Sequence, residues 1–221
     1  MAALRRPAHL GIPSAAAVVD RHGSDAFRYY VLRHLHTAAD SDFSEKLLAL
    51  AHDKELADQF GNLTRRALSL VAQEFSARIP EPELPAEPDT ALRREGERAL
   101  TEHLEAFSRF DLNEATAAPL RLLTAANRYF DAQAPWALRK RGEHQRLATV
   151  LFTTLEAAWR ATWLLEPIVA RAAARVRDDL GAREAAAPVD LEELRWNRFA
   201  PGAAVTLGTP LFPKLRPTAG A

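Results

Sequence analysis

Apolar residues that return at helical period, in long runs separated by prolines, constrain this chain more than any other feature. Behind Ser44, the residues Leu47, Leu48, Leu50 and Ala51 open a stripe of period 3.6 that continues through Leu56, Phe60, Leu63 and Leu70 and stops before Pro80. Ser44 is placed to cap its first turn. A second striped run covers 146–181, with Pro167 as a kink and Gly181 as the C-terminal stop. Upstream, Pro13 to Ala17 is small and turn-prone, and Ala26-Phe27-Arg28-Tyr29-Tyr30-Val31-Leu32-Arg33 puts bulky residues on one face of a short helix. Between the long runs, Ile79-Pro80-Glu81-Pro82-Glu83-Leu84-Pro85-Ala86-Glu87-Pro88 is an acidic, extended surface crossover, because proline disfavours α geometry in the residue before it. Thr90 is expected to cap the next, charged helix. Asp111-Leu112-Asn113-Glu114 has capping-box spacing ahead of another that runs to about Phe130, kinked in its first half at Pro119. The corner Ala134-Pro135-Trp136 then turns the chain into the second run.

Composition agrees with this pattern. Leu, Ala, Arg and Glu dominate while β-branched residues are sparse, which favours helix over sheet. The expected fold is all-α: four or five main helices in one bundle, followed from Pro188 by an irregular tail rich in breakers, including Pro201-Gly202 and Gly208-Thr209-Pro210. With 221 residues, 48% of them apolar, the chain is long enough to bury a sizeable core.

Charge and residue usage exclude several classes of function. Lys plus Arg number 29 and Asp plus Glu number 29, so no whole-molecule positive field draws in nucleic acid, and any RNA site is a local patch. The absence of cysteine removes disulfides, thiolate nucleophiles and Cys-based zinc sites. No metal site is expected, since His34-x-His36 lacks the i, i+4 spacing and neighbouring carboxylates of a zinc site. Asp178-Asp179 and Glu192-Glu193 read as solvated charge, no nucleophile-base-acid set stands out, and no cofactor is expected. No apolar run approaches the ~18 residues needed to cross a bilayer, and Met1 to Pro13 lacks the apolar stretch of a secretory signal, so a soluble, cytoplasmic protein is expected.

Four ordered stretches resemble the methionyl-tRNA synthetases, a class I family. They are Asp20-Arg21-His22-Gly23-Ser24-Asp25-Ala26-Phe27-Arg28-Tyr29-Tyr30-Val31-Leu32-Arg33 with Asp42-Phe43-Ser44, then Gly61-Asn62-Leu63-Thr64-Arg65-Arg66, then Ala126-Asn127-Arg128-Tyr129-Phe130-Asp131-Ala132-Gln133-Ala134-Pro135-Trp136. The fourth runs from Arg146-Leu147-Ala148 through Leu165-Glu166-Pro167, with Gly208-Thr209-Pro210-Leu211-Phe212-Pro213 closing the domain. The aromatic corner of the third is the most specific. The resemblance implies a helical anticodon-binding bundle over 21–187, with 1–20 as the remnant of a linker from a catalytic domain and 188–221 as a tail packed on the bundle.

The family's catalytic signatures are absent. Where it carries a Lys-Met-Ser-Lys-Ser loop before a Leu-Gly, this chain has Arg5-Arg6-Pro7-Ala8-His9 before Leu10-Gly11, so a charge that would meet ATP phosphates is missing. His9-Leu10-Gly11 mimics part of a His-Ile-Gly-His signature, with Ile12 in place of the second histidine, and reads as coincidence. A lone chain is therefore expected to have no aminoacylation activity. Met1 ahead of an altered loop points to an independent gene product.

The resemblance implies anticodon contacts from Asn62, Arg66 and Trp136. Asn62 and Arg66, four apart, share a helical face; an amide can pair with a base edge, a guanidinium can donate to two acceptors or stack, and an indole held at a helix exit can stack on a base. Arg65, Arg139, Lys140 and Arg141 are second-tier candidates for phosphate contacts. Arg65 departs from the family, which more often has an uncharged polar residue there. The bland alternatives are a solvated polar face for the charged residues and a core role for Trp136, as expected for Trp159 and Trp163. Three functions remain open: a non-catalytic module that grips the anticodon stem-loop of a methionine-type tRNA, alone or beside a separate catalytic chain; the C-terminal part of a methionine-tRNA ligase whose catalytic domain lies elsewhere; and a non-catalytic scaffold for protein interactions.

Overall fold

The computed structural model describes residues 14–35, 43–181, 196 and 199–214. The expectations resting on 5–12, His36, Asp42, Pro188 and Glu192-Glu193 lie outside these residues. Every regular element among the described residues is helical, 75–86 and 199–214 are irregular, and an isolated antiparallel bridge joins Arg78 and Ala204 in place of any strand.

Its axis is α8, His144–Leu165, buried on nearly every side from Leu147 onward. A helix apolar all round has to lie inside its bundle. The threonines it carries there are satisfied locally: Thr154 and Thr162 donate to the carbonyls of Val150 and Ala158 at 2.8 and 2.7 Å. The hairpin of α5 (Glu87–Ser108) and α6 (Leu112–Gln133) packs on itself and against α8. Asp111 caps α6 by accepting from Glu114 N–H at 3.1 Å, as its position indicates. Helix α5 starts three residues before Thr90, because the Asp89 carboxylate turns back to accept from Ala86 N–H at 2.7 Å. Thr90 instead lies inside the helix.

Two prolines in the helical runs are accommodated in different ways. Pro119 supplies no N–H for the carbonyl of Ala115, yet α6 continues through it. Buried His103, from α5, meets that carbonyl through Nδ1 at 2.7 Å, so the imidazole substitutes for the missing donor. Pro167 does more than kink its run: α8 ends at Leu165, and a new helix, α9 (Ala170–Asp179), follows a turn. Gly181, at φ +73°, lies just beyond it.

The N-terminal third supplies α1 (Ala15–His22), capped by Ser14 where a turn was expected, and α2 (Ser24–His34). The long stripe after Ser44 forms α3 (Glu45–Ala51), a π-helical segment (His52–Gly61) and α4 (Asn62–Glu74) in one uninterrupted run. Phe60, Leu56 and Leu63 are wholly buried, each contributing roughly 1.5–3 kcal/mol. Downstream, 199–214 lies along α4 and α9. Ile79 N–H bonds Ala203 O and Val205 N–H bonds Ala77 O, at 2.8 and 2.9 Å, while Phe199, Val205, Leu211 and Phe212 are buried.

Candidate nucleic-acid interface

Three elements meet at one end of the bundle. Asn62 is the first residue of α4 and is exposed; Arg66 lies one turn further along the same face. The last turn of α6 brings Phe130 and Asp131. Ala134 then takes a left-handed backbone, φ +44°, strained by roughly 1–2 kcal/mol for a residue with a Cβ. That reversal starts a short helix not anticipated from sequence, α7 (Pro135–Arg141), with Trp136 in its first turn.

The Arg66 guanidinium lies 4.8 Å from the Phe130 ring centre and 5.7 Å from that of Trp136. Its Nη2 meets Asp131 Oδ1 at 2.7 Å. Phe130 is buried, whereas Trp136 is 50% exposed, and the two rings meet edge to face at 6.4 Å. The result is a cationic plane fixed against an indole whose remaining surface is open to solvent. Such a cluster can stack an unpaired base on the indole and offer guanidinium donors to its acceptors.

A buried polar hub holds this end in place. Arg146, from α8, forms a two-pronged pair with Asp89 at 2.6 and 2.9 Å and also donates to Gln133 at 2.6 Å; Tyr129 O–H donates to the same carboxylate. The hub ties the starts of α5 and α8 to the last turn of α6, directly before the corner that carries Trp136. Burial pushes the Asp89 carboxyl up, but the bonds from Arg146, Tyr129 and Ala86 N–H outweigh it and hold the group below its ordinary range. Burial, reinforced by the anionic Asp89, pushes the Tyr129 phenol far up, so it remains a donor.

Asn62, Arg66 and Trp136 are thus brought to one end, while the second-tier cations divide. Arg65 turns away from the cluster and donates to Gly208 O on the tail at 3.0 Å. Arg139 meets Glu74 at 2.6 Å and Gln73 at 2.9 Å, tying α7 to the end of α4. Arg141 pairs with Glu143, and Lys140 is exposed. All three occupy the last turn of α7, where positive charge is favoured by the negative end of the helix dipole. Sequence reasoning quoted Phe130 and Asp131 within a motif but singled out neither, and no short-range spacing joins Asp131 to Arg66. The Asp89–Arg146 pair was equally invisible for the same reason.

Residues 79–219 match the family model for the anticodon binding domain of methionyl tRNA ligase, and residues 9–68 match that of the class I tRNA synthetases (M). The chain is 33% identical over 205 residues to the methionine–tRNA ligase of Mycobacterium leprae, covering 91% of this chain and 38% of the relative. It is 30% identical over 197 residues to that of Thermotoga maritima, covering 89% and 31%. Among solved structures, Mycobacterium tuberculosis methionyl-tRNA synthetase in complex with methionyl-adenylate superposes with a TM-score of 0.84 at 30% identity, over 90% of this chain and 39% of that one. The chain therefore spans about two fifths or less of these relatives.

Proposed function

Since the chain belongs to the family of the anticodon-binding domain of methionyl-tRNA ligase, we propose that it grips the anticodon stem-loop of a methionine-type tRNA through Asn62, Arg66 and Trp136. One observation carries this reading: Arg66 lies against both buried Phe130 and half-exposed Trp136, which leaves an aromatic face and a fixed donor group open at the bundle's end. Asn62, on the same face, adds an amide that can both donate to and accept from a base edge. Lys140 and the exposed Arg128 supply charge for the adjoining phosphates. Arg141 holds only a surface ion pair, worth roughly 0–1 kcal/mol, which phosphate can replace.

The test is a titration of the chain with methionine tRNA and with the same tRNA carrying a changed anticodon. Weaker binding to the changed tRNA is expected, by about tenfold or more for each lost base contact, the range of one stacked or hydrogen-bonded base. Equal binding to both overturns the reading.

The chain by itself performs no amino-acid activation in this reading, because the positions that should carry the phosphate-binding lysines are Arg5 and Ala8. Methionine-dependent exchange of pyrophosphate into ATP should read zero for the purified chain. A second reading has a specific support: the relatives extend well beyond the matched part, and the class I model matches residues 9–68. The chain then acts as the tRNA-binding part of a cytoplasmic ligase whose catalytic portion lies on other sequence. The mass of the native protein separates the two. Among the described residues no helix is long and apolar enough to cross a membrane.

A further inference from the structure

Arg65 and Arg66 are neighbours of identical chemistry, yet they reach opposite partners. Arg65 donates to Gly208 O on the tail, and Arg66 pairs with Asp131 beside the aromatic rings. One residue of α-helix is about 100° of rotation, so which arginine faces Trp136 is decided by the register of α4. That register is anchored by the buried face of α4, Leu63, Ala67, Leu68 and Val71, and depends also on the winding immediately upstream. In the π-helical segment His52–Gly61 the backbone bonds reach five residues back, and the last of them joins Asn62 N–H to Ala57 O. Such geometry is rare and intrinsically poorer than α, so the surroundings must hold it.

Two sides hold it. From α6, Asn127 Nδ2 donates to the carbonyl of Gln59 at 2.9 Å and Thr124 donates to its side-chain oxygen at 3.1 Å. From the other side comes the tail, 208–214. Phe212 packs on Phe60 and His52, with ring centres 6.0 and 5.8 Å apart, and Lys214 meets Asp58 at 2.9 Å. A Cβ placed on Gly61 would stand 3.5 Å from Phe212 and 3.7 Å from Leu211, so the tail lies against the helix backbone itself. Arg175 secures the tail in turn by donating to the carbonyls of Thr209, Pro210 and Leu211 at 2.9, 3.0 and 3.2 Å.

We propose that the tail segment 208–214, with Phe212 as its positioning residue, fixes the register of α4 and thereby selects Arg66 over Arg65 for the cluster with Phe130 and Trp136. If the segment rewound toward α geometry, α4 would rotate, and a turn of about one residue would carry Arg65 toward the aromatic rings and Arg66 past them. The consequence for RNA rests on the anticodon-binding reading; the register itself does not.

The experiment reads the two separately. The arginine side-chain N–H signals of the full chain are assigned by NMR with Arg65→Lys and Arg66→Lys. In the unaltered chain, the Arg66 signal should be shifted by the rings of Phe130 and Trp136 and the Arg65 signal should not. In Phe212→Ala, and in Arg175→Ala, which removes the bonds to the tail carbonyls without touching the π-helical segment's aromatic contacts, the ring shift should leave Arg66 or divide between the two arginines. A full ring shift retained on Arg66 in both folded variants overturns the proposal. Discrimination between methionine tRNA and its anticodon-changed form should fall about tenfold in the same variants, equivalent to ~1.4 kcal/mol. Unchanged discrimination also counts against the proposal. If the unaltered chain shows no anticodon preference at all, the anticodon-binding reading fails, while the NMR result still decides the register.

Discussion

Trp136 and Phe130 form a pair with unequal duties: the buried ring anchors the corner, and the half-exposed one presents a face to solvent. Trp136→Ala should therefore cost RNA binding the ~1–3 kcal/mol of one stacked base. It should lower stability only within the small range of surface substitutions, about 1 kcal/mol or less. Parallel tRNA titrations and thermal melts check both halves, and a large fall in Tm with unchanged binding would make Trp136 a packing residue. Trp159, at 3% exposure, is that control. The contrast between these tryptophans was legible in sequence because one follows a proline at a helix exit and the other sits in a run apolar on all sides. Arg66's partner was not legible, since Asp131 lies 65 residues away and only packing of α4 on α6 brings them together.

Within the elements, the continuity of α6 depends on a donor borrowed from α5. Replacing His103 with Leu should leave the carbonyl of Ala115 buried and unpaired, at a cost of about 1–3 kcal/mol. Pro119→Ala restores an N–H that can reach the same carbonyl, so the double variant should recover most of that loss. Additive losses in a double-mutant cycle of chemical denaturation would refute the account. A proline in a periodic run suggests a kink when read alone; the imidazole that lets the helix pass comes from a neighbouring element. The π-helical segment escaped detection for a related reason. Leu56, Phe60 and Leu63 are spaced by four and three, a pattern that one apolar face imposes on α and π winding alike. Helix α7 was missed because its start depends on the left-handed backbone of Ala134, which nothing about an alanine announces.

Across the whole molecule, two buried groups contribute to how stability responds to acid. Burial lowers the affinity of His103 for a proton, and the bond to Ala115 O only partly offsets this. A histidine whose folded pKa is depressed stabilises the fold above its unfolded value, about 6.5, and loses that contribution as pH falls through the folded value. Asp89, also depressed, acts in a lower window: its contribution is full above about 3.9 and is lost as pH falls further. Melting temperature should be level above neutrality and decline in two stages below it, and His103→Gln, which keeps a donor but cannot titrate, should abolish the first. Asp89→Asn should lower stability by about 3 kcal/mol at neutral pH, because the Arg146 guanidinium is left without its anion; a change under about 1 kcal/mol would show the hub to be dispensable. What the sequence by itself determined is the helical class, the membership of the family and three candidate contact residues, because each rests on periodicity, capping or an ordered motif, and these are local. Which arginine faces the tryptophan, what holds the corner and how a helix passes through proline were decided only by tertiary structure. Each depends on side chains tens of residues apart, and a linear pattern carries no information about which of them will meet.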